Sequence, residues 1–309
     1  MGRGIPGEYP SLLLKGGRTE LKHKKTHDIL LAAPGYLIYT VFMIIPLGLC
    51  LFYSFTNWDG ISKNYKMIGF KNFVRLFQDA SFYNALKVTL IITVITVLIY
   101  NVLGVFLAVV LNRKNRACAF AKSAIFVPTV LSSVVVAFIW SYIMQTDGGI
   151  INTILGVFGI PPVDFYDTPM HTIVMISVII SWNGLGLFMV IYVATLNTIP
   201  QELMEAAEVD GANGVQRFFR ITLPLMMPGI TINSVLSMAG GLKQYDHVKV
   251  ITGGGPGGAT QTITLLSVEK AFGYNRRGYS SAIILVLFIM IVIVSVIQIS
   301  ITKKREVEY

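Results

Sequence analysis

The chain has 309 residues, of which 54% are hydrophobic and only 13% are charged. Soluble domains carry about 25% charged residues, so this composition indicates a protein whose main solvent is lipid. The net charge of +9 does not indicate a nucleic-acid partner, because the basic residues stand in short runs beside apolar segments, where membrane orientation explains them. The two cysteines and four scattered histidines predict neither a disulfide framework nor a metal site.

Six apolar segments are long enough to cross a bilayer, which takes about 20 residues. Backbone groups in hydrocarbon must be paired within their own segment, so each segment is predicted to be a helix, kinked at prolines such as Pro128. The predicted spans are 29–55, 86–111, 119–144, 171–196, 225–250 and 281–302. The predicted fold is therefore all-α and polytopic, with a tail at 1–28, a transmembrane domain at 29–302 and a second tail at 303–309.

The basic residues predict the orientation of the chain. The tail 1–28, the loop 112–122 and residues 303–305 are rich in Lys and Arg, whereas the loop 145–170 has none and contains three Asp. Basic residues favour the cytoplasmic side of a membrane. We therefore expect a multi-pass protein of the bacterial cytoplasmic (inner) membrane with both termini in the cytoplasm. The loop 56–85 is an exception, because it carries four basic residues and is nevertheless expected outside.

The stretch 200–224, between the fourth and fifth spans, is charged in an otherwise apolar chain. Its first part, QELMEAAEV, is rich in good helix formers, and Asp210-Gly211 and Asn213-Gly214 are turn dipeptides. VQRFFRI can then begin a second helix, which gives a helix–turn–helix segment on the cytoplasmic side. From the residues alone, this segment is either an amphipathic loop that rests on lipid headgroups or a surface that docks a partner.

A resemblance favours docking. The pattern E-A-A-x3-G-x9-I-x-L-P is met in full, and it resembles the EAA loop of the membrane permease subunits of binding-protein-dependent ABC importers. In that family the loop is a coupling helix that docks into a groove of the ATPase subunit. The resemblance implies that the ATPase-coupling residues are Glu205, Ala206, Ala207, Asp210, Gly211, Ile221, Leu223 and Pro224.

Further stretches resemble the carbohydrate permeases of the maltose, lactose and glycerol-phosphate type, in the branch of the first permease. They are FYSFTNWDG, IGFKNFVRLF, AFGYNRRGYSSAIILVLFI and LKQYDHVKVITGGGPGGATQT, the last with Gln244-Tyr245 where the family usually has Val-Phe. The resemblance implies the permease fold of type I ABC importers and the import of a sugar, which we expect to be an oligosaccharide. The implied partners are a second homologous permease, two copies of an ABC ATPase, an extracytoplasmic solute-binding protein and the lipid bilayer.

The chain lacks a Walker A sequence, since TGGGPGG does not end in Gly-Lys-Ser/Thr. We therefore expect a subunit without catalytic activity or a cofactor of its own, with ATP and Mg bound by the separate ATPase chain. The alternative is a secondary transporter, or another polytopic membrane protein that has no ATPase partner. A secondary transporter would usually show internal repeats, and it has no use for a docking loop.

Polar and small residues in the fourth and fifth spans leave two interpretations open. SWNGLG, residues 181–186, can serve helix packing, because small residues allow close approach and Asn can bond across helices. It can equally form the wall of a path for a polar solute. The candidate solute-binding residues are Trp182, Asn183, Gly184, Leu187, Gly240, Gly241, Gln244 and Tyr245.

Overall fold

The computed structural model of the chain describes residues 31–113 and 115–304, so most of the two predicted tails lies outside the described residues. Within this part the chain is almost entirely helical, and the β-type pairing is one isolated bridge between Thr56 and Met67. The helices are α1 (Leu31–Ser54), α2 (Lys71–Leu76), α3 (Ala80–Leu111), α4 (Arg116–Val130), α5 (Ser133–Ile143), α6 (Ile150–Val157), α7 (Pro169–Leu196), α8 (Gln201–Val209), α9 (Gly214–Leu225), α10 (Met227–Leu242), α11 (Asp246–Ile251), α12 (Ile263–Val268) and α13 (Arg277–Lys303).

The chain divides into two bodies, residues 1–52 and residues 53–309. In the first body, α1 contains a π turn, Thr40–Ile44, which ends just before Pro46. A proline inside a helix lacks the backbone N–H and clashes with the carbonyl four residues earlier. The wider π turn accommodates that clash, because the N–H of Ile45 donates to the carbonyl of Thr40, five residues back.

In the second body, the centre of the fold is the pair of long helices α3 and α7. Their 32 and 28 residues correspond to about 48 and 42 Å, which exceeds the roughly 30 Å of a hydrocarbon core. Ile92 of α3 packs against Ile176 and Ile180 of α7 in a buried cluster. Helix α10 packs on α3, α4 packs on α7, and α13 packs on α10.

The helices α3 and α7 run in the same direction, which defines two faces of the bundle. Their first turns line one cavity, through Asn84 and Pro169, and the residues that follow their last turns, Asn112 and Asn197, line another. We call the end with Asn112 and Asn197 the coupling face, because α8 and α9 follow α7 there. Helix α13 starts at the opposite face, where the hydroxyl of Tyr279 donates to the carboxylate of Asp79.

Four of the six predicted spans are single long helices, α1, α3, α7 and α13. The other two are broken. Helices α4 and α5 meet at 100°, and α9 meets the segment Met227–Ile251, which contains α10 and α11, at 67°. The total reaches six spans if each bent pair is counted as one. At the first break Leu131 is extended, with ψ 144°, and its N–H donates to the carbonyl of Pro128. The predicted kink at Pro128 is therefore a sharp change of direction three residues later.

Candidate functional site

The stretch 200–224 forms the predicted helix–turn–helix hairpin, made of α8 and α9 on the coupling face. Helix α8 ends in a Schellman motif, in which the N–H of Ala212 donates to the carbonyl of Ala207 at 2.9 Å and the N–H of Gly211 donates to that of Glu208 at 3.1 Å. The motif needs a left-handed residue after the C-cap, and Gly211 supplies it with φ +79°. The predicted turn therefore depends on the backbone freedom of this glycine.

The second helix of the hairpin begins with a capping box. The side chain of Asn213 accepts from the N–H of Gln216, and the side chain of Gln216 accepts from the N–H of Asn213. Further along α9, the segment Phe218–Thr222 is a π turn that ends just before Pro224. The N–H of Leu223 donates to the carbonyl of Phe218, so this proline is accommodated in the same way as Pro46 of α1.

Two side-chain contacts hold the arms of the hairpin together. Nη1 of Arg217 lies 2.9 Å from Oε2 of Glu208. The hydroxyl of Thr222 lies 3.9 Å from Sδ of Met204. The ion pair is partly exposed and contributes little to stability by itself, about 0–1 kcal/mol. With the two caps, these contacts give the hairpin a defined shape.

Four of the eight residues that the family pattern assigns to coupling are exposed. Glu205, whose carboxylate accepts from the side chain of Gln201 at 2.7 Å, is exposed on α8. Ala206, Asp210 and Gly211 are exposed as well, whereas Ala207 is buried and Ile221, Leu223 and Pro224 are half-buried. Most of the pattern residues on α8 are therefore accessible to solvent, while those on α9 are partly covered by the bundle.

The hairpin also exposes apolar side chains, of which Val209 and Val215 were not singled out from the sequence. Val209 is 88% exposed, beside the turn, and Val215 and Phe219 are 68% and 61% exposed on α9. These three exposed apolar side chains stand on a hairpin that also carries exposed acidic residues. The amphipathic spacing within VQRFFRI was the available signal.

An apolar cavity of about 500 Å³ lies between the hairpin and the spans. Phe218 and Leu223 of α9 form one wall, and residues of α3, with Tyr192 of α7 and Ile230 of α10, form the others. Next to it, Met226, at the bend between α9 and α10, is fully buried against Ala108 and Tyr192. The second arm of the hairpin is thus fixed to the two central helices.

A polar network, which sequence reasoning missed, joins the three helices around this cavity. The hydroxyl of Tyr192 donates to Oδ1 of Asn101 at 2.6 Å, and that of Ser234 donates to the same oxygen at 3.1 Å. Nearby, Nδ2 of Asn233 donates to the carbonyl of Phe188 at 3.0 Å. Asn101 amid an apolar span was the available sequence signal, since polar residues commonly bond across membrane helices.

The candidate solute-binding residues of α7 divide into two groups. Asn183 is buried, and its Nδ2 donates to the carbonyl of Pro128 at the α4–α5 bend at 2.6 Å. Gly184 lies so close to Tyr100 that an added Cβ would stand 2.4 Å from its hydroxyl. Trp182 and Leu187, by contrast, are each 43% exposed. The contacts of Asn183 and Gly184 support the packing interpretation for these two residues.

The candidates of the fifth span surround a second break. Helix α10 ends at Leu242 and α11 begins at Asp246, so Gln244 and Tyr245 lie in the short connection between the two helices. The carbonyl of Gln244 accepts from the hydroxyl of Thr262 at 2.8 Å. Gly241 is packed against the backbone of Thr93, whereas a Cβ on Gly240 would meet open space.

Comparisons with known proteins agree with this architecture. Residues 100–306 match the family described as "Binding-protein-dependent transport system inner membrane component". The multiple sugar-binding transport system permease protein MsmF of Streptococcus mutans serotype c is 34% identical, over 88% of this chain and 93% of its own. The trehalose/maltose transport system permease protein MalF of Thermococcus litoralis is 28% identical, over 93% of this chain and 97% of its own.

A chain in the crystal structure of a bacterial alginate ABC transporter, in complex with an alginate pentasaccharide-bound periplasmic protein, shares the fold. Its TM-score is 0.79 at 21% identity, over 93% of this chain and 96% of that chain. The predicted all-helical importer permease fold is thereby confirmed, and the family match confirms the predicted transport role. The chain belongs to the family of inner membrane components of binding-protein-dependent transport systems.

Proposed function

We propose that this chain forms half of the membrane pathway of an ATP-driven importer of a sugar, an oligosaccharide by preference. Its partners are a second homologous permease, two copies of an ABC ATPase that bind ATP and Mg, and an extracytoplasmic solute-binding protein. The names of the relatives MsmF and MalF support the sugar, and the alginate transporter complex supports the binding protein. The coupling face and both termini lie in the cytoplasm.

The hairpin of α8 and α9 is the observation that carries this proposal. It combines a capped, internally tied structure with exposed acidic and apolar side chains at its tip, and its second arm is fixed to α3 and α7 through Met226. A rigid element of this kind can accept force from a soluble partner and transmit it to the spans. An amphipathic loop that merely rests on lipid needs neither the two caps nor the tie between Glu208 and Arg217.

In the proposed cycle, a loaded binding protein docks on the opposite face. The ATPases close on ATP and move the two hairpins of the permease pair, which opens the pathway outward to receive the solute. Hydrolysis then resets the pathway toward the cytoplasm. The permease itself performs no covalent chemistry.

For the solute path, we propose that the exposed surfaces of Trp182, Leu187 and Gly240 contribute directly, together with Gln244 and Tyr245 at the break in the fifth span. Trp182 packs edge-on to Trp140, with ring centroids 5.6 Å apart, which holds an aromatic surface in place. An aromatic ring offers an apolar face to the C–H groups of a sugar. Asn183, Gly184 and Gly241 act on the path through helix packing.

Charge reversal at the first arm tests the docking proposal. In the reconstituted complex, Glu205→Lys is expected to weaken binding of the ATPase by about thirtyfold, since a mismatched charge in an interface costs about 2 kcal/mol or more. Binding of the solute-binding protein stays unchanged. The matched control is Glu202→Lys, which makes the same reversal on an exposed acid of the same helix, outside the EAA pattern. Normal transport by Glu205→Lys with the ATPase fully bound contradicts the proposal.

The apolar tip gives a second test that leaves the charges unchanged. Val209→Ser is expected to weaken ATPase binding by about fivefold, because an apolar side chain buried in an interface contributes about 1 kcal/mol or more. Val157→Ser is the control, since Val157 of α6 is 80% exposed at the opposite face. Equal ATPase affinity for the two variants excludes Val209 from the docking surface.

A further inference from the structure

An open polar cavity of about 490 Å³ lies on the coupling face, apart from the hairpin. It forms where α3 ends, α4 begins and α7 ends. Its lining residues are Asn112, Arg113, Asn115, Arg116, Ala119, Lys122 and Asn197. These residues have no part in the coupling role described above.

The cavity is cationic. Three of its lining residues, Arg113, Arg116 and Lys122, carry a positive charge, three carry a side-chain amide, and none is Asp or Glu. Within residues 31–113 and 115–304, the ion pairs are His171–Asp167 and Arg217–Glu208, so none of the three cations has a carboxylate within 4.0 Å there. The cavity therefore offers positive charge that the described part of the chain does not neutralise.

Three helix ends meet at the cavity. The carboxyl ends of α3 and α7 favour nearby cations. The 15-residue helix α4 begins in the same cavity, and the amino end of a helix favours an anion.

The surroundings of the cavity are apolar on the side of the spans. Phe120, which follows the lining residue Ala119 in α4, is 77% exposed, whereas Val109 and Val110 of the last turn of α3 line the apolar cavity at the hairpin. Cations at the membrane surface with apolar surface close by match a phospholipid, whose phosphate and acyl chains are joined in one molecule. Basic pockets between membrane helices on the cytoplasmic side are suited to anionic headgroups.

We propose that this cavity binds the phosphate group of an anionic phospholipid. Arg113 and Arg116 suit this ligand, because a guanidinium can donate two parallel hydrogen bonds to phosphate oxygens. Lys122 adds a point charge, and the amides supply further donors. The assignment of the site to the cytoplasmic leaflet rests on the proposed function, whereas the chemistry of the ligand does not.

The test uses the full-length chain, with the subunits that copurify, in nanodiscs made from equal parts of phosphatidylcholine and phosphatidylglycerol. After transfer to a mild detergent, native mass spectrometry counts the phosphatidylglycerol molecules that each chain retains. Arg113→Gln/Arg116→Gln is expected to weaken retention by about thirtyfold, since each basic residue near a lipid surface contributes about fivefold in affinity. Arg113→Lys/Arg116→Lys keeps the charge and is expected to retain most of the lipid.

The control is Lys303→Gln/Lys304→Gln, which removes two charges from the same face outside the cavity and is expected to retain lipid like the unchanged chain. Equal loss in the control, or undiminished retention in Arg113→Gln/Arg116→Gln, overturns the proposal. It is also overturned if inorganic phosphate binds in phosphatidylcholine nanodiscs while phosphatidylglycerol is not retained, or if the Gln variants lose the ATPase and keep the lipid. Lipid retention is measured without transport or ATPase binding. The lipid proposal can therefore fail while Glu205→Lys still supports the proposed function, and the two outcomes are distinguishable.

Discussion

Gly211→Ala is the substitution for which the structure gives the clearest expected magnitude. Gly211 has φ +79°, in the left-handed region, and it closes the Schellman motif at the end of α8. A Cβ added to this residue would meet no atom within 4 Å, so a steric clash with neighbours adds nothing to the cost. The penalty is that of placing an L-residue in the left-handed conformation, roughly 1–2 kcal/mol.

That penalty destabilises the native turn and leaves the stability of the membrane spans unchanged. A cost of 1–2 kcal/mol lowers the equilibrium constant for the docking shape of the hairpin by roughly 5–30-fold. The apparent affinity of the ATPase for the permease pair is expected to fall by up to this factor, measured by titration of the ATPase into reconstituted permease. Gly211→Asn is expected to lie between the unchanged chain and Gly211→Ala, because Asn enters the left-handed region more readily than other non-glycine residues.

Gly214→Ala is the matched control, three residues away in the same hairpin. Gly214 is the first residue of α9, has no positive φ, and a Cβ there also meets open space. Alanine is the better helix former, so this variant is expected to bind the ATPase as well as the unchanged chain. Unchanged ATPase affinity in Gly211→Ala would refute the reasoning, and so would an equal loss in Gly214→Ala.

Three further predictions concern the spans and use thermal unfolding of the detergent-solubilised complex. Gly241→Ala places a Cβ 2.8 Å from the backbone of Thr93 and should lower the free energy of unfolding by about 1–3 kcal/mol. Gly240→Ala, whose Cβ meets open space, should be neutral. Similar melting temperatures for the two variants would exclude overpacking at Gly241. Tyr192→Phe removes a 2.6 Å hydrogen bond and should cost about 0.5–1.5 kcal/mol, and an unchanged melting temperature would mean that the polar network adds no stability. Asn183→Ala should lower stability by about 1 kcal/mol without changing the apparent affinity for the solute, and a changed solute selectivity in the intact complex would assign Asn183 to the path.

The hairpin was the part of the site that the sequence predicted best, because its signals are local. Asp210-Gly211 and Asn213-Gly214 predict a turn, and VQRFFRI predicts a second helix after it, from the chemistry of those residues alone. The Schellman motif and the capping box are these two signals in three dimensions. The exposed Val209 was not singled out, because a valine among good helix formers does not indicate which side of the helix is exposed.

The angles of the bends in the third and fifth spans were beyond the sequence for a different reason, although a kink at Pro128 was predicted. Apolar composition says that a segment prefers lipid, but it does not specify a helix axis. At the 100° turn after Pro128, the carbonyl of Pro128 accepts a tertiary hydrogen bond from Asn183, 55 residues later in the chain. Asn183 in turn was open to two interpretations, because the side of α7 on which it lies is fixed only by packing.

The attachment of the hairpin indicates how a movement of α8 reaches the solute path. The arms are joined by the capped turn, by the contact of Glu208 with Arg217 and by that of Met204 with Thr222, so α8 and α9 are expected to move as one unit. Met226 then joins α9 to α7 through Tyr192, whose hydroxyl is bonded to α3 through Asn101. Packed interiors shift between discrete arrangements and deform little, so the ends of α3 and α7 should follow the hairpin together. Because α7 carries Trp182 along the same rigid helix, a push on the coupling face is expected to reposition the aromatic surface that we assign to the solute path.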